Sequence, residues 1–76
     1  MLDTHQRLIR CFQAVFPELS DTQAARANSS SVAAWDSVAT VTLAATVEEE
    51  FGIQFQPEDI EKMNSFDSYL HLLDGR

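Results

Sequence analysis

The chain of 76 residues has one cysteine, two glycines, two prolines and only five basic residues. Each scarcity excludes something. A lone Cys11 permits neither an internal disulfide nor a thiolate metal cluster. Gly52 and Gly75 stand too far apart to build a phosphate-cradling loop. No apolar run approaches the roughly 20 residues that span a bilayer, so no stable membrane insertion is expected. The opening "MLDTHQRLIR" has no apolar signal-peptide core, and a cytoplasmic location is expected. Arg7, Arg10, Arg26, Lys62 and Arg76 are the whole basic complement. Nucleic acid, including recognition by a helix-turn-helix, is disfavoured, because it needs clustered Lys and Arg.

Acid and apolar residues are plentiful by contrast. Twelve acids give a net charge of −7, and 45% of the residues are hydrophobic. That hydrophobic share suits one small globular domain over residues 1–76, near the lower size limit for a single core. A monomer is expected. Asp36, Glu48, Glu49, Glu50, Glu58, Asp59 and Glu61 occupy a stretch with no basic residue. Such a one-sign field suits a basic surface on another protein, and equally serves as a solvated face that aids solubility.

Periodicity predicts an all-α chain of four helices, the third short, with a long loop between the first two. Residues 3–16 carry Leu8, Ile9, Phe12, Val15 and Phe16 at helical spacing, with Asp3 or Thr4 as cap and Pro17 as stop. Pro17 to Asp36 is a connection of low periodicity in which Asp21 can start a single helical turn; Leu19, Val32 and Trp35 are its expected anchors to the core. Ser37 to Phe51 is locally ambiguous, because "VATVTLAATV" is rich in β-branched residues. Leu43, Val47 and Phe51 recur every four residues, Asp36-Ser37 supplies an N-cap and Gly52 a C-terminal stop, so the segment reads as a helix. Ile53 and Phe55 then point inward. "PEDIEKM" is a short helix with Pro57 at its first position and Ile60 and Met63 inward. Asn64 or Ser65 caps a last helix, with Phe66, Tyr69, Leu70 and Leu73 on one face and Gly75 after it.

Catalysis by the chain itself finds no support. His5 and His71 lie near opposite ends and read as surface histidines, and no G-x-S-x-G elbow occurs. Glu48-Glu49-Glu50 cannot converge on a metal, since consecutive helical side chains point about 100° apart. Cys11 reads as a small buried thiol. Ser37 is the residue of interest. Beside Asp36 it is an ordinary capping residue. A helix mouth also stabilises phosphate, through unpaired N–H groups and the positive dipole end. Asp67-Ser68 is a second such pair, but it falls within a helical turn.

"WDSVATVTLAATVEEEFGIQFQPEDIEKMNSFDSYLHLL" resembles the acyl carrier protein family. The resemblance runs through the first helix, the long loop, the Asp-Ser start, "VEEEFGI", "PEDIEKM" and the final amphipathic helix. It implies a four-helix acyl-carrier bundle. It implies that Ser37 carries 4′-phosphopantetheine, received from coenzyme A through a phosphopantetheinyl transferase and Mg²⁺, and that the arm's thiol holds an acyl or aminoacyl group as a thioester. The chain would then be a carrier and not an enzyme. Its partners would be the transferase, an acyl- or aminoacyl-loading ligase, and acyltransferase or synthase enzymes with basic docking surfaces. Asp36, Glu48 and Glu49 would face those surfaces; Val38, Val41 and Ala45, on a stripe that the core leaves free, would form the apolar part of the contact. Glu50 reads as a plain solvated glutamate. Carriers of fatty acid synthesis usually have Leu-Gly-Ala before the Asp-Ser pair and a leucine after it. Here Ala34-Trp35 precedes and Val38 follows. Ala39 and Thr42 stand where those carriers place acids, which shifts the charged field toward the far end of the helix. The alternative is a small acidic helical interaction module without a prosthetic group, in which Ser37 is a cap.

Overall fold

The computed structural model describes residues 3–74. They form five helices: α1 (Thr4–Val15), α2 (Asp21–Ala25), α3 (Ser37–Phe51), α4 (Pro57–Lys62) and α5 (Phe66–Asp74). Among the described residues there is no strand, only an isolated bridge between Asn28 and Ser65. The Cα radius of gyration is 11.1 Å, against about 11.4 Å for a packed domain of this length.

α1 begins where the Asp3 carboxylate accepts the Gln6 N–H at 2.9 Å. It ends at Phe16, whose N–H still reaches Phe12 O, before Pro17. Leu8, Ile9, Phe12 and Phe16 are buried, as their spacing predicts, and Val15 is half-buried. Phe12 is the hub. Its ring meets Trp35 at 5.6 Å, Phe66 at 5.2 Å and Tyr69 at 5.6 Å, all edge-on. α1, the first connection and α5 are thus joined through one side chain. Edge-to-face contacts of this kind add to the area that the rings bury.

The four-helix expectation is corrected in one element. The long connection holds the five-residue helix α2, started by a reciprocal capping box. Ser20 Oγ accepts the Gln23 N–H, and Gln23 Oε1 accepts the Ser20 N–H. Ala24 and Ala27 are buried against the core. The remainder of the connection is tied down as well. Asn28 Oδ1 accepts the N–H groups of Ser30 and Ser31, at 2.9 and 2.8 Å. Ser29 N–H donates to Asn64 O, and Phe66 N–H donates to Ala27 O. These two bonds stitch the connection to the entry of α5.

α3 is helical despite its β-branched run. Leu43, Ala44 and Val47 are buried. The hydroxyls of Thr40, Thr42 and Thr46 each donate to the carbonyl four residues back, at 2.9, 3.0 and 2.8 Å. Threonine's competing donor is thereby used inside the helix. Gly52 ends α3 at φ 65, ψ 38, the left-handed conformation that favours glycine. The N–H groups of Gly52 and Ile53 both reach Glu48 O. α4 starts with Pro57 at its first position, and Phe55 and Met63 flank it as buried anchors. Ile53 and Ile60 are half-buried against the same core. α5 begins at Ser65, whose Oγ accepts the Ser68 N–H at 3.0 Å. Phe66 and Tyr69 are buried, with Leu70 and Leu73 half-buried beside them. The predicted stop at Gly75 lies outside the described residues.

Candidate functional site

The mouth of α3 is built by Trp35, Asp36, Ser37 and Thr40. Asp36 is the N-cap, and its Oδ1 accepts the Ala39 N–H at 2.8 Å. Ser37 is the first helical residue. Sequence reasoning assigned the cap to the Asp36-Ser37 pair, and the structure gives it to Asp36 alone. The reason is geometric: the cap residue has extended φ and ψ, which turn its side chain back toward the third N–H of the helix. The side chain at the next position points outward. Ser37 is exposed, and among the described residues its hydroxyl takes no hydrogen-bond partner. The first N–H groups of a helix have no intrahelical acceptor. Asp36 satisfies Ala39, and Thr40 N–H is bonded to Asp36 O at 2.9 Å, so the N–H groups of Ser37 and Val38 remain at the mouth beside the free hydroxyl.

Trp35 sets this mouth on the core. It is 6% exposed, with its ring against Phe12 and Phe16. Its backbone N–H reaches Val32 O, itself in a buried residue, and its Nε1–H donates to Thr40 Oγ1 at 2.9 Å. The expected loop anchor is therefore also a hydrogen-bond donor to α3, a role for which the sequence held no signal beyond the five-residue spacing to a threonine.

Ser68 is placed differently. It is half-buried, its hydroxyl lies 2.9 Å from Ser65 Oγ, and its N–H is taken by the same oxygen. The serines of the two Asp-Ser pairs thus differ in exposure and in hydrogen bonding.

Along α3 the outward face is apolar first and acidic later. Val38 and Val41 are the exposed large hydrophobic residues among those described, at 72% and 63%. Ala45 continues their stripe and is exposed, and so is Glu49. The four lie at helical spacing on the side opposite Leu43, Ala44 and Val47. The three consecutive glutamates have three separate fates. Glu49 is free in solvent. Glu48 is half-buried, and its Oε2 accepts the Phe55 N–H at 2.7 Å, which fixes the turn after Gly52. Glu50 is not the plain solvated glutamate expected. Arg7 Nε donates to its Oε2 at 2.8 Å, a second guanidinium N–H reaches Glu50 O at 2.7 Å, and the guanidinium sits 4.4 Å over the Phe51 ring. The pair crosses 43 positions of sequence, between helices whose packing no local pattern encodes.

The remaining candidates stay apart from this site. Cys11 is buried between α1 and α3. Its thiol is pushed up to about 11, chiefly because burial disfavours the thiolate, with Glu50 adding to the effect and Arg7 opposing it. His5 is exposed and lies edge-on to Phe66 at 5.2 Å; His71 is exposed on α5. Neither hydrogen-bonds to Ser37. Among the described residues no cluster of three or more His, Cys, Asp or Glu side chains could hold a metal, and no helix is long and apolar enough to cross a membrane.

Comparison of the chain with known protein families, with curated proteins and with solved structures finds no match.

Proposed function

We propose that the protein is a carrier of the acyl carrier type, modified on Ser37 by 4′-phosphopantetheine. One observation carries the reading: an exposed, unpaired serine hydroxyl follows directly after a capping aspartate at the mouth of a 15-residue helix. The donor set fits a phosphodiester. Asp36 has turned its carboxylate to Ala39, and the N–H groups of Ser37 and Val38 stand beside the hydroxyl at the positive end of the dipole.

The chain's own part in the modification is to present a nucleophile. Ser37 Oγ attacks the phosphorus that bears pantetheine in coenzyme A. A new O–P bond forms as the pyrophosphate P–O bond breaks, and adenosine 3′,5′-bisphosphate leaves with the electron pair. The serine proton passes to a base of the transferase, where Mg²⁺ also sits. When bound, the arm supplies a thiol that holds an acyl or aminoacyl group as a thioester. A loading ligase would charge that thiol, and the chain would then present the group to an acyltransferase or a synthase.

Val38, Val41 and Ala45 form the apolar centre of the docking face, and Asp36 and Glu49 its acidic edges. Glu48, tied to Phe55, adds charge at the rim but has one oxygen already used. An acidic face of this kind recruits basic partner surfaces, and the short-range contact is apolar.

The same exposed Val38 and Val41 favour a second reading, an acidic interaction module with no prosthetic group, in which Ser37 has no chemistry. Intact-mass measurement separates the two. Incubation with coenzyme A, Mg²⁺ and a broad-specificity phosphopantetheinyl transferase is expected to add one arm, which peptide mapping finds on Ser37 and not on Ser68. A chain that stays unmodified, or an arm that persists in Ser37→Ala, removes the carrier reading.

A further inference from the structure

Trp35 is the one tryptophan of the chain, and its indole works at both ends. Its ring is wedged against Phe12, 5.6 Å away and 78° inclined, and Phe16, 5.7 Å away and 38° inclined. Its Nε1–H donates to Thr40 Oγ1 at 2.9 Å. The Thr40 hydroxyl in turn donates a hydrogen bond to Asp36 O, also at 2.9 Å. The Thr40 N–H donates to that same carbonyl oxygen. A relay thus runs from the aromatic core, through one hydroxyl, to the carbonyl that precedes Ser37.

That carbonyl belongs to the peptide plane that also carries the Ser37 N–H. Holding its oxygen from two directions holds the plane, and so the position of Ser37 Cα. The hydroxyl of Ser37 keeps only its side-chain torsion as freedom. Thr42 and Thr46 make the same back-bond within α3, but among the described residues neither receives a side-chain donor. Back-bonding alone is common for helical threonines. The indole contact is what sets Thr40 apart.

We propose that Trp35 and Thr40 are positioning residues for the modification of Ser37: the Trp35–Thr40–Asp36 relay holds the backbone of Ser37, and so the place from which its hydroxyl attacks phosphorus. The inference rests on the carrier reading above and names two residues that act through a third. Neither touches the reacting atoms. Their effect is on the fraction of docked molecules whose nucleophile is in line, which enters kcat. The relay acts on the backbone carbonyl of Asp36 and leaves its carboxylate and the docking face at Val38 and Val41 in place, so KM stays close to its original value.

The test compares arm uptake by the 76-residue apo-protein as wild type, Thr40→Val, Thr40→Ser, Trp35→Phe, Thr42→Val and the Trp35→Phe/Thr40→Val pair. Uptake is followed by intact mass over a range of carrier concentrations, well below each melting temperature. Thr40→Val removes both hydrogen bonds of the Thr40 hydroxyl and Trp35→Phe removes the one from the indole, and each is expected to lower kcat by about three- to tenfold. KM should stay within about twofold. The double variant should be no slower than the slower single one, because both changes break the same relay. Thr40→Ser should restore the rate, and Thr42→Val should match wild type. A readout independent of loading is hydrogen exchange at the Trp35 indole N–H, expected to speed up in Thr40→Val and to stay unchanged in Thr42→Val. Wild-type kcat in Thr40→Val, or an equal loss in Thr42→Val, overturns the positioning role and leaves the carrier reading standing. A wild-type protein that takes up no arm overturns both.

Discussion

Ser37 and Ser68 each follow an aspartate, yet of the two only Ser68 has its hydroxyl hydrogen-bonded among the described residues. The oxygen of Ser68 is shared with Ser65 at the start of α5, whereas that of Ser37 is exposed and unshared. Because Asp36 performs the capping, Ser37→Ala is expected to change stability by less than about 0.5 kcal/mol, as for an ordinary surface substitution. Asp36→Ala should cost about 1 kcal/mol. In a domain of this size that lowers the melting temperature by about 4–8 °C. Thermal melts of the two variants, read by circular dichroism, check the order. A larger loss in Ser37→Ala would make the serine structural. Cys11 offers a second measurement at this scale. Its thiol is raised from 9.0 to about 11 in the folded chain, so folding favours the protonated form. The unfolded chain loses that proton first. Stability is therefore full below pH about 9 and falls as pH rises toward about 11. Urea midpoints at pH 8 and pH 10.5 should show the drop, and Cys11→Ala should lessen it. Tyr69, whose phenol is also raised by burial, supplies the slope that remains.

At the scale of an element, α3 shows how a sequence with strand-like residues becomes a helix. Its ends are settled locally, by Asp36 at one and Gly52 at the other, and its threonines bond back along the helix. Gly52 is the sharper test. A Cβ built there meets nothing within 4 Å, so the penalty for a side chain is one of backbone conformation alone. Gly52→Ala is expected to cost about 1–2 kcal/mol, and Gly52→Asn less, since asparagine tolerates the left-handed region. Chemical denaturation measures both. Equal stability of Gly52→Ala and wild type would mean that the stop is not confined to that φ. α2 teaches the complementary lesson. The sequence offered a single turn starting at Asp21, and the structure closes that start with the Ser20–Gln23 capping box. Five residues contain too little periodicity to declare a helix, however. The element persists because Ala24 and Ala27 are covered by the rest of the molecule.

For the whole molecule, the proposed docking face makes its own demands. Val38→Asp and Val41→Asp should leave the fold intact, because both side chains are largely exposed. Each is expected to weaken transferase binding by roughly tenfold or more, as central apolar contacts do. Glu49→Gln should weaken it only about two- to fivefold, the scale of one exposed charge pair, and less at high salt. Glu48→Ala should lower stability as well, because the Phe55 N–H loses its acceptor. Titration against the transferase at low and high salt reads the binding of all four, and chemical denaturation reads the stability of Glu48→Ala. Binding that is indifferent to salt, to Val38→Asp and to Glu49→Gln would place the partner on another face.

The sequence by itself determined the all-α class, the bounds of α3, the inward stripes of α1 and α5, and the free stripe of Val38, Val41 and Ala45. These follow from local spacing, caps and stops, which depend on residues a few positions apart. It also singled out Ser37, by resemblance as the position of a prosthetic arm and by local pattern as half of a cap. Only the tertiary structure decided which of the paired residues is the cap and left the serine hydroxyl unshared. It divided three consecutive glutamates among solvent, the Phe55 N–H and Arg7, and it set the Trp35 indole on Thr40. Such pairings depend on how one helix is rotated and shifted against another. That packing is the joint outcome of the whole core around Phe12, and no short window of sequence contains it.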